Sequence, residues 1–154
     1  MNYFQDAIPH NHCFGCGPNN THGLRIKSHW IEEPSKSQCL FTPKAHHCAA
    51  PTKFLNGGVM ATIIDCHAIC TAMAYGYNLA DQVIGSAPHI WYATGKLSLT
   101  YLKPVPIEKE LALYAAITGH NEKHVYLNCT LNIGDKTYVE AEVDAVRVPS
   151  EWMQ

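Results

Sequence analysis

Asp65 is a carboxylate in the middle of an apolar stretch: Ile63 and Ile64 precede it, and Ala68 and Ile69 follow. A buried helix there would strip water from the charge. The residue lies about two turns from the helix start, too far in to act as a cap. Such a carboxyl either moves a proton or attacks in a reaction, or it sits hydrogen-bonded at a helix or subunit contact. Gly57 and Gly58 open the same stretch and leave backbone N–H groups bare. With the helix dipole, those groups suit a carbonyl or an oxyanion; the plainer reading is a tight turn packed on a neighbour. Eight helical residues separate Gly57 from Asp65, about 12 Å along the axis, so one chain does not easily bring both to one reacting carbon. Two helices related by a two-fold axis do, which predicts a homodimer.

The second chemical cluster is Cys13-x-x-Cys16, with His10, His12 and His22 close by in sequence. A structural zinc site takes four ligands, usually as two spaced pairs. Only one pair is evident here, with His46, His47 and Cys48 as conceivable partners. The expectation is therefore a glycine-turned loop with reduced thiols, no metal and no cofactor. Cys66 beside Asp65 reads as a small core residue, because nothing local marks it as an activated thiolate.

The helix that carries Asp65 is expected from Asn56 to about Tyr77. Asn56 is a good N-cap, and Gly76 and Asn78 are plausible stops. Apolar and small residues cover nearly its whole circumference, which marks a buried helix. Ahead of it, residues 1–22 form an irregular lead-in, Gly23 to Ile31 reads as a strand, and Gln38 to Phe41 as a short second one. From Tyr92 onward the period is two. Leu97, Leu99 and Tyr101 alternate with Lys96, Ser98 and Thr100, and three further strands follow, centred on Leu113, Leu127 and Val143. Turn chemistry separates them at Pro104 and Pro106, at Gly119-His120-Asn121, and at Gly134-Asp135. One all-round apolar helix and six antiparallel strands make an α+β domain over residues 23–150, with the sheet wrapped around the central helix.

The 154 residues fit one domain, and a formal net charge of -2 disfavours nucleic acid as the main partner. Only 16% of residues are charged, so part of the surface is expected to be covered by a second copy. No uninterrupted apolar run reaches the roughly 18 residues of a bilayer span. Seven cysteines, an odd number, suit a reducing compartment better than a disulfide framework. A cytoplasmic protein without membrane partners is the expectation.

The run Phe54-Leu55-Asn56-Gly57-Gly58-Val59-Met60-Ala61-Thr62-Ile63-Ile64-Asp65 resembles the helix-opening motif of hotdog-fold acyl-CoA thioesterases of the phenylacetic-acid (PaaI-like) type. The run from Thr94 to Pro104 is similar to their following strand, and the lead-in from Cys13 to Leu24 to the N-terminal segment of some members. The resemblance implies a hotdog fold and three roles. Asp65 is the carboxylate that acts as general base or nucleophile, the Gly57 N–H polarises the thioester carbonyl, and the Thr94 hydroxyl orients the attacking water. Asn56, Gly58 and Lys96 are candidates to bind the substrate, and Lys96 and Lys103 are candidates for the CoA phosphates because they lie on or beside the strand that carries Thr94. The chain departs from the family at Asn56, where His is usual; Asn caps a helix but does not titrate near neutral pH. His67 is a weak substitute, since residues two apart on a helix do not face each other.

The implied substrate is an acyl-CoA, and the implied assembly a homodimer or a dimer of dimers. Ala68, Tyr75, Tyr77, Trp91 and Tyr92 are candidates to shape an acyl pocket. Two other readings stand beside hydrolysis: a hotdog hydratase or dehydratase acting on enoyl thioesters, and a non-catalytic acyl-CoA-binding dimer.

Overall fold

A computed structural model describes residues 1–153. Its centre is α2 (Gly57–Leu79), a helix of 23 residues and about 35 Å in length. Asn56 starts it as expected. Its backbone is extended, and its side-chain oxygen accepts from the Val59 N–H at 3.1 Å. The helix runs past Gly76 and Asn78 and ends at Ala80, whose N–H bonds to Gly76 O at 3.2 Å. Gly76 is a packing point and not a stop: a Cβ there would sit 2.8 Å from the Tyr92 ring.

Six strands form one antiparallel sheet: β1 (Ser28–Glu32), β2 (Lys36–Phe41), β3 (Trp91–Tyr101), β4 (Leu111–His120), β5 (His124–Ile133) and β6 (Lys136–Val148). Their spatial order is β1-β2-β4-β5-β6-β3, so β3 is an edge. Ile63, Ile64, Ala68 and Ala72 of α2 are fully buried, as are Leu113, Leu127 and Leu131 of the sheet; they belong to one core. This is the expected architecture. By length and composition α2 also qualifies as a membrane span, although Asp65 and His67 interrupt its apolar run. Its apolar length is instead spent under the sheet.

The first strand is shorter than Gly23 to Ile31. Residues 23–27 are tied to the lead-in instead: Leu24 N–H bonds to Phe14 O at 2.8 Å and Ile26 N–H to Gly15 O at 3.1 Å. Between them Arg25 takes a φ of 52°, which no regular strand accommodates. The lead-in itself packs on the main core. It contains a short helix α1 (Phe4–Ala7), and Phe4, Ile8 and Cys16 are buried with the residues of α2. Gln5 is fully buried, donating to Ser28 Oγ at 2.9 Å and accepting from Ser28 N–H at 2.7 Å. The passage from residue 22 to 23 is thus a change of regularity within one core.

The cap at Asn56 makes a direct prediction. Asn56→Ala should lower the unfolding free energy by about 1 kcal/mol, and Asn56→Asp should keep most of it. Urea denaturation of both variants checks this, and equal losses would contradict the capping role.

Candidate active site

The start of α2 is held from both sides. Leu55 N–H bonds to Val105 O at 2.8 Å and Asn56 N–H to His47 O at 3.0 Å, which fixes the chain as it enters the helix. Tyr101, at the far end of β3, donates its hydroxyl to Gly57 O at 2.8 Å. The N–H groups of Gly57 and Gly58 have no acceptor among the described residues, and Gly58 is exposed. Bare N–H groups at the positive end of a long helix favour a partial or full negative charge. A Cβ on Gly57 would meet nothing closer than the Tyr101 ring at 3.8 Å, so the approach is open.

Two turns further on, Asp65 is half-buried, and Thr94 of β3 donates to its Oδ1 at 2.5 Å. Burial raises the Asp65 carboxyl above the usual carboxylate range, and the Thr94 hydrogen bond opposes that shift. A carboxylate with a raised pKa is a better proton acceptor near neutral pH. With Oδ1 committed to Thr94, Oδ2 is the oxygen left for a reacting group.

Thr94 reaches Asp65 because of a bulge. In the pairing of β3 with β6, Thr94 stands opposite Ala145 and Lys96 opposite Asp144, so Gly95 is an extra residue. Tyr92 and Thr94, before the bulge, face α2; after it the parity changes and Leu97, Leu99 and Tyr101 face the helix. Strict alternation would have put Thr94 outside with Ser98 and Thr100. Gly95 permits this because a Cβ there would lie 2.4 Å from Val146 Cγ2 and 3.2 Å from Asp144 O. An isolated glycine inside a strand pattern is the signal for such a bulge.

Other expected site residues lie elsewhere. Lys96 comes out of the bulge on the outer face of the sheet, beside Ser98, Asn128 and Glu142, so a single chain does not bring it to Asp65. Lys103 lies over the Tyr138 ring at 5.7 Å. His67 is fully buried between α2 and strands β1 and β2, with its ring nitrogens 2.8 Å from Ser28 Oγ and 3.3 Å from Ser37 Oγ. Burial pushes its pKa down to about 3, which makes it a neutral core histidine. Ala68, Tyr77, Trp91 and Tyr92 are core residues. Tyr75 is half-buried and bonds to His120 Nδ1 at 2.9 Å. The sequence pattern shows Tyr101 only as part of a strand face; its bond to Gly57 becomes visible once strand and helix are placed together.

Solved structures with this arrangement of helix and strands include thioesterase-superfamily proteins. One from Shewanella loihica PV-4 is 28% identical with a TM-score of 0.69, covering 94% of this chain and 99% of its own. The chain has the hotdog fold. The E. coli PaaI protein from the phenylacetic acid degradation operon superposes with a TM-score of 0.66 at 12% identity, over 82% of this chain and 81% of its own. Mouse thioesterase superfamily member 2 does so at 0.61 and 17% identity, over 80% and 83%. No protein-family model matches the sequence, and no curated protein matches it.

The bulge should tolerate no side chain at its centre. Gly95→Ala is expected to cost about 1–3 kcal/mol, the usual range for overpacking. Val146→Ala combined with it should cost less than the sum of the two single variants. Strict additivity in a denaturation cycle would contradict the packing described.

Proposed function

We propose that this hotdog protein is a thioesterase that hydrolyses an acyl-CoA to the free acid and CoA, in sites built between two chains. The observation that carries the reading is the half-buried Asp65 carboxylate, oriented by Thr94, on a helix whose first N–H groups are open. In the general-base form, Asp65 Oδ2 takes a proton from water as the water oxygen bonds to the thioester carbonyl carbon. Negative charge then builds on the carbonyl oxygen, where a Gly57 N–H stabilises it as part of an oxyanion site. The C–S bond breaks, the pair leaves with CoA sulfur, and the proton held by Asp65 passes to that thiolate. In the nucleophilic form Asp65 itself bonds to the acyl carbon, the C–S bond breaks and CoA leaves as a thiolate. Water then cleaves the resulting anhydride to the acid and the restored carboxylate, and a proton from that water goes to the thiolate. Oriented hydroxyls and open N–H groups serve both forms.

The shared site rests on length and exposure. Gly57 and Asp65 are about 12 Å apart along one helix. Ala61, Thr62, Asp65 and Ile69, spaced along one face of α2, are all only half-buried. The unpaired edge of β3 runs beside that face, and a long exposed edge strand invites a second chain. A partner laid antiparallel along this face brings its own Gly57 toward Asp65. Asn56 contributes through the cap that keeps the Gly57 N–H at the helix start, and Gly58 through its exposed N–H.

Release of free thiol from a panel of acyl-CoAs tests the activity. Asp65→Asn should retain the fold and lower kcat by about 10²–10⁴-fold, the contribution of a positioned acid or base. Thr94→Ala should cost on the order of tenfold, as an orienting group. An Asp65→Asn enzyme with near wild-type turnover on its best substrate would sink the assignment. A fully active monomer in sedimentation would remove the shared site.

A further inference from the structure

The second pair of thiols missing from the sequence pattern comes from the helix. Cys66 and Cys70 are four residues apart on α2 and therefore share one stripe of its surface. The Cys13 and Cys66 Sγ atoms are 3.6 Å apart, and those of Cys16 and Cys70 are 3.7 Å apart. Cys13, Cys16 and Cys66 all lie within 4.8 Å of one another, and all four are free thiols. His10, His12, His22, His46, His47 and Cys48 do not join this group among the described residues.

We propose that Cys13, Cys16, Cys66 and Cys70 form a structural tetrathiolate site for a soft divalent cation, zinc in the first place. Zinc bonded to sulfur at about 2.3 Å in a tetrahedron sets neighbouring sulfurs about 3.8 Å apart. The two closest pairs already stand near that distance, before any ion draws them in. Cys70 lies outside that trio of mutually close sulfurs, but its Sγ is 3.7 Å from that of Cys16, which makes it the thiol available for the fourth corner.

The loop is shaped to deliver these sulfurs. Gly17 N–H closes the turn onto Cys13 O at 2.8 Å. A Cβ on Gly17 would fall 2.4 Å from Cys13 N, and one on Gly15 would fall 2.3 Å from Cys66 Sγ. A side chain at Gly15 would lift the loop off the helix, and one at Gly17 would force its turn open. Asn11 supplies the outer support that metal ligands usually have. Its Oδ1 accepts from Cys13 N–H at 3.1 Å, and its Nδ2 donates to Cys16 Sγ at 3.7 Å. An N–H aimed at sulfur suits a thiolate better than a thiol.

Four sulfur ligands leave no open position, so the ion holds structure and takes no substrate. It would fasten the lead-in to α2 at Cys66, the residue next to Asp65. Binding displaces the thiol protons to solvent. This site is independent of the hydrolytic reading, since none of its ligands serves the proposed reaction.

The test uses the full chain, produced without a metal-binding tag and kept reduced. Elemental analysis should find about one equivalent of zinc per chain. Cobalt added to chelator-stripped protein should give the thiolate-to-cobalt charge-transfer band and the strong d–d absorption of a tetrahedral site. Cys13→Ser should lose both signals, while Cys48→Ser keeps them. If Cys13→Ser does not fold, the cobalt titration of the unaltered chain decides alone. Absence of zinc together with absence of the cobalt bands would overturn the proposal. So would equal metal loss in Cys48→Ser, or peptide mapping that found Cys13–Cys66 and Cys16–Cys70 disulfides in protein from a reducing cytosol.

Discussion

Helix α2 has to satisfy two demands that conflict. It must lie under a six-stranded sheet and fill the core with Ile63, Ile64, Ala68 and Ala72, and it must carry a carboxylate at its middle. The contact with edge strand β3 reconciles them. At one end of that strand Thr94 holds Asp65, and at the other Tyr101 holds the carbonyl of Gly57. The helix is thereby fixed in rotation, with Asp65 on the half-exposed face and the isoleucines beneath the sheet. A rotation of the helix that buried Asp65 fully would leave a charge without water or a cation, at a cost of several kcal/mol. The bulge at Gly95 makes the arrangement possible, because it gives one strand two inward parities: one for the hydroxyl and one for the leucines.

Much of this was legible from residue types. The all-round apolar stretch with Asn56 at its head, and the period-two runs after Tyr92, are local signals that survive folding unchanged. The alternation of Leu97, Leu99 and Tyr101 with Lys96, Ser98 and Thr100 marks a half-buried strand, and in the structure that apolar set packs on the core. Thr94 could not be placed by the same rule, since it shares parity with Lys96 and Ser98. Its likeness to a family strand suggested the role, and the glycine beside it supplies the physical reason. Lys96 shows the opposite outcome: proximity in sequence to Thr94 suggested proximity in space, and the bulge separates the two onto different faces of the sheet.

The lead-in shows a different limit. Its composition reads as irregular, yet it is anchored by Phe4, Gln5 and Ile8 and by hydrogen bonds to residues 24 and 26. Those bonds are what hold residues 23–27 out of the first strand, which begins only at Ser28. The thiols illustrate why the pattern was incomplete in one dimension. Cys66 and Cys70 sit in an apolar run where cysteine is an ordinary small core residue, and more than forty residues separate them from Cys16. Only the packing of the glycine-turned loop on that stripe of α2 brings the two pairs together. The same packing sets the lead-in directly behind the carboxylate.

The central claim is that one chain supplies Gly57 and the other Asp65, and exchange of subunits tests it most directly. Gly57→Pro removes only the N–H in question. Proline is tolerated at the first helical position, and Asn56 before it already has the extended backbone that proline requires. Asp65→Asn removes the carboxylate. Each variant alone should be nearly inactive in thiol release from its best acyl-CoA. Mixed and allowed to exchange subunits, they form heterodimers in which one site has both groups intact and the other has neither. Activity should return on mixing, toward about half of the wild-type rate per heterodimer. Exchange confirmed by mass, with no recovery of activity, would contradict a site shared in this way.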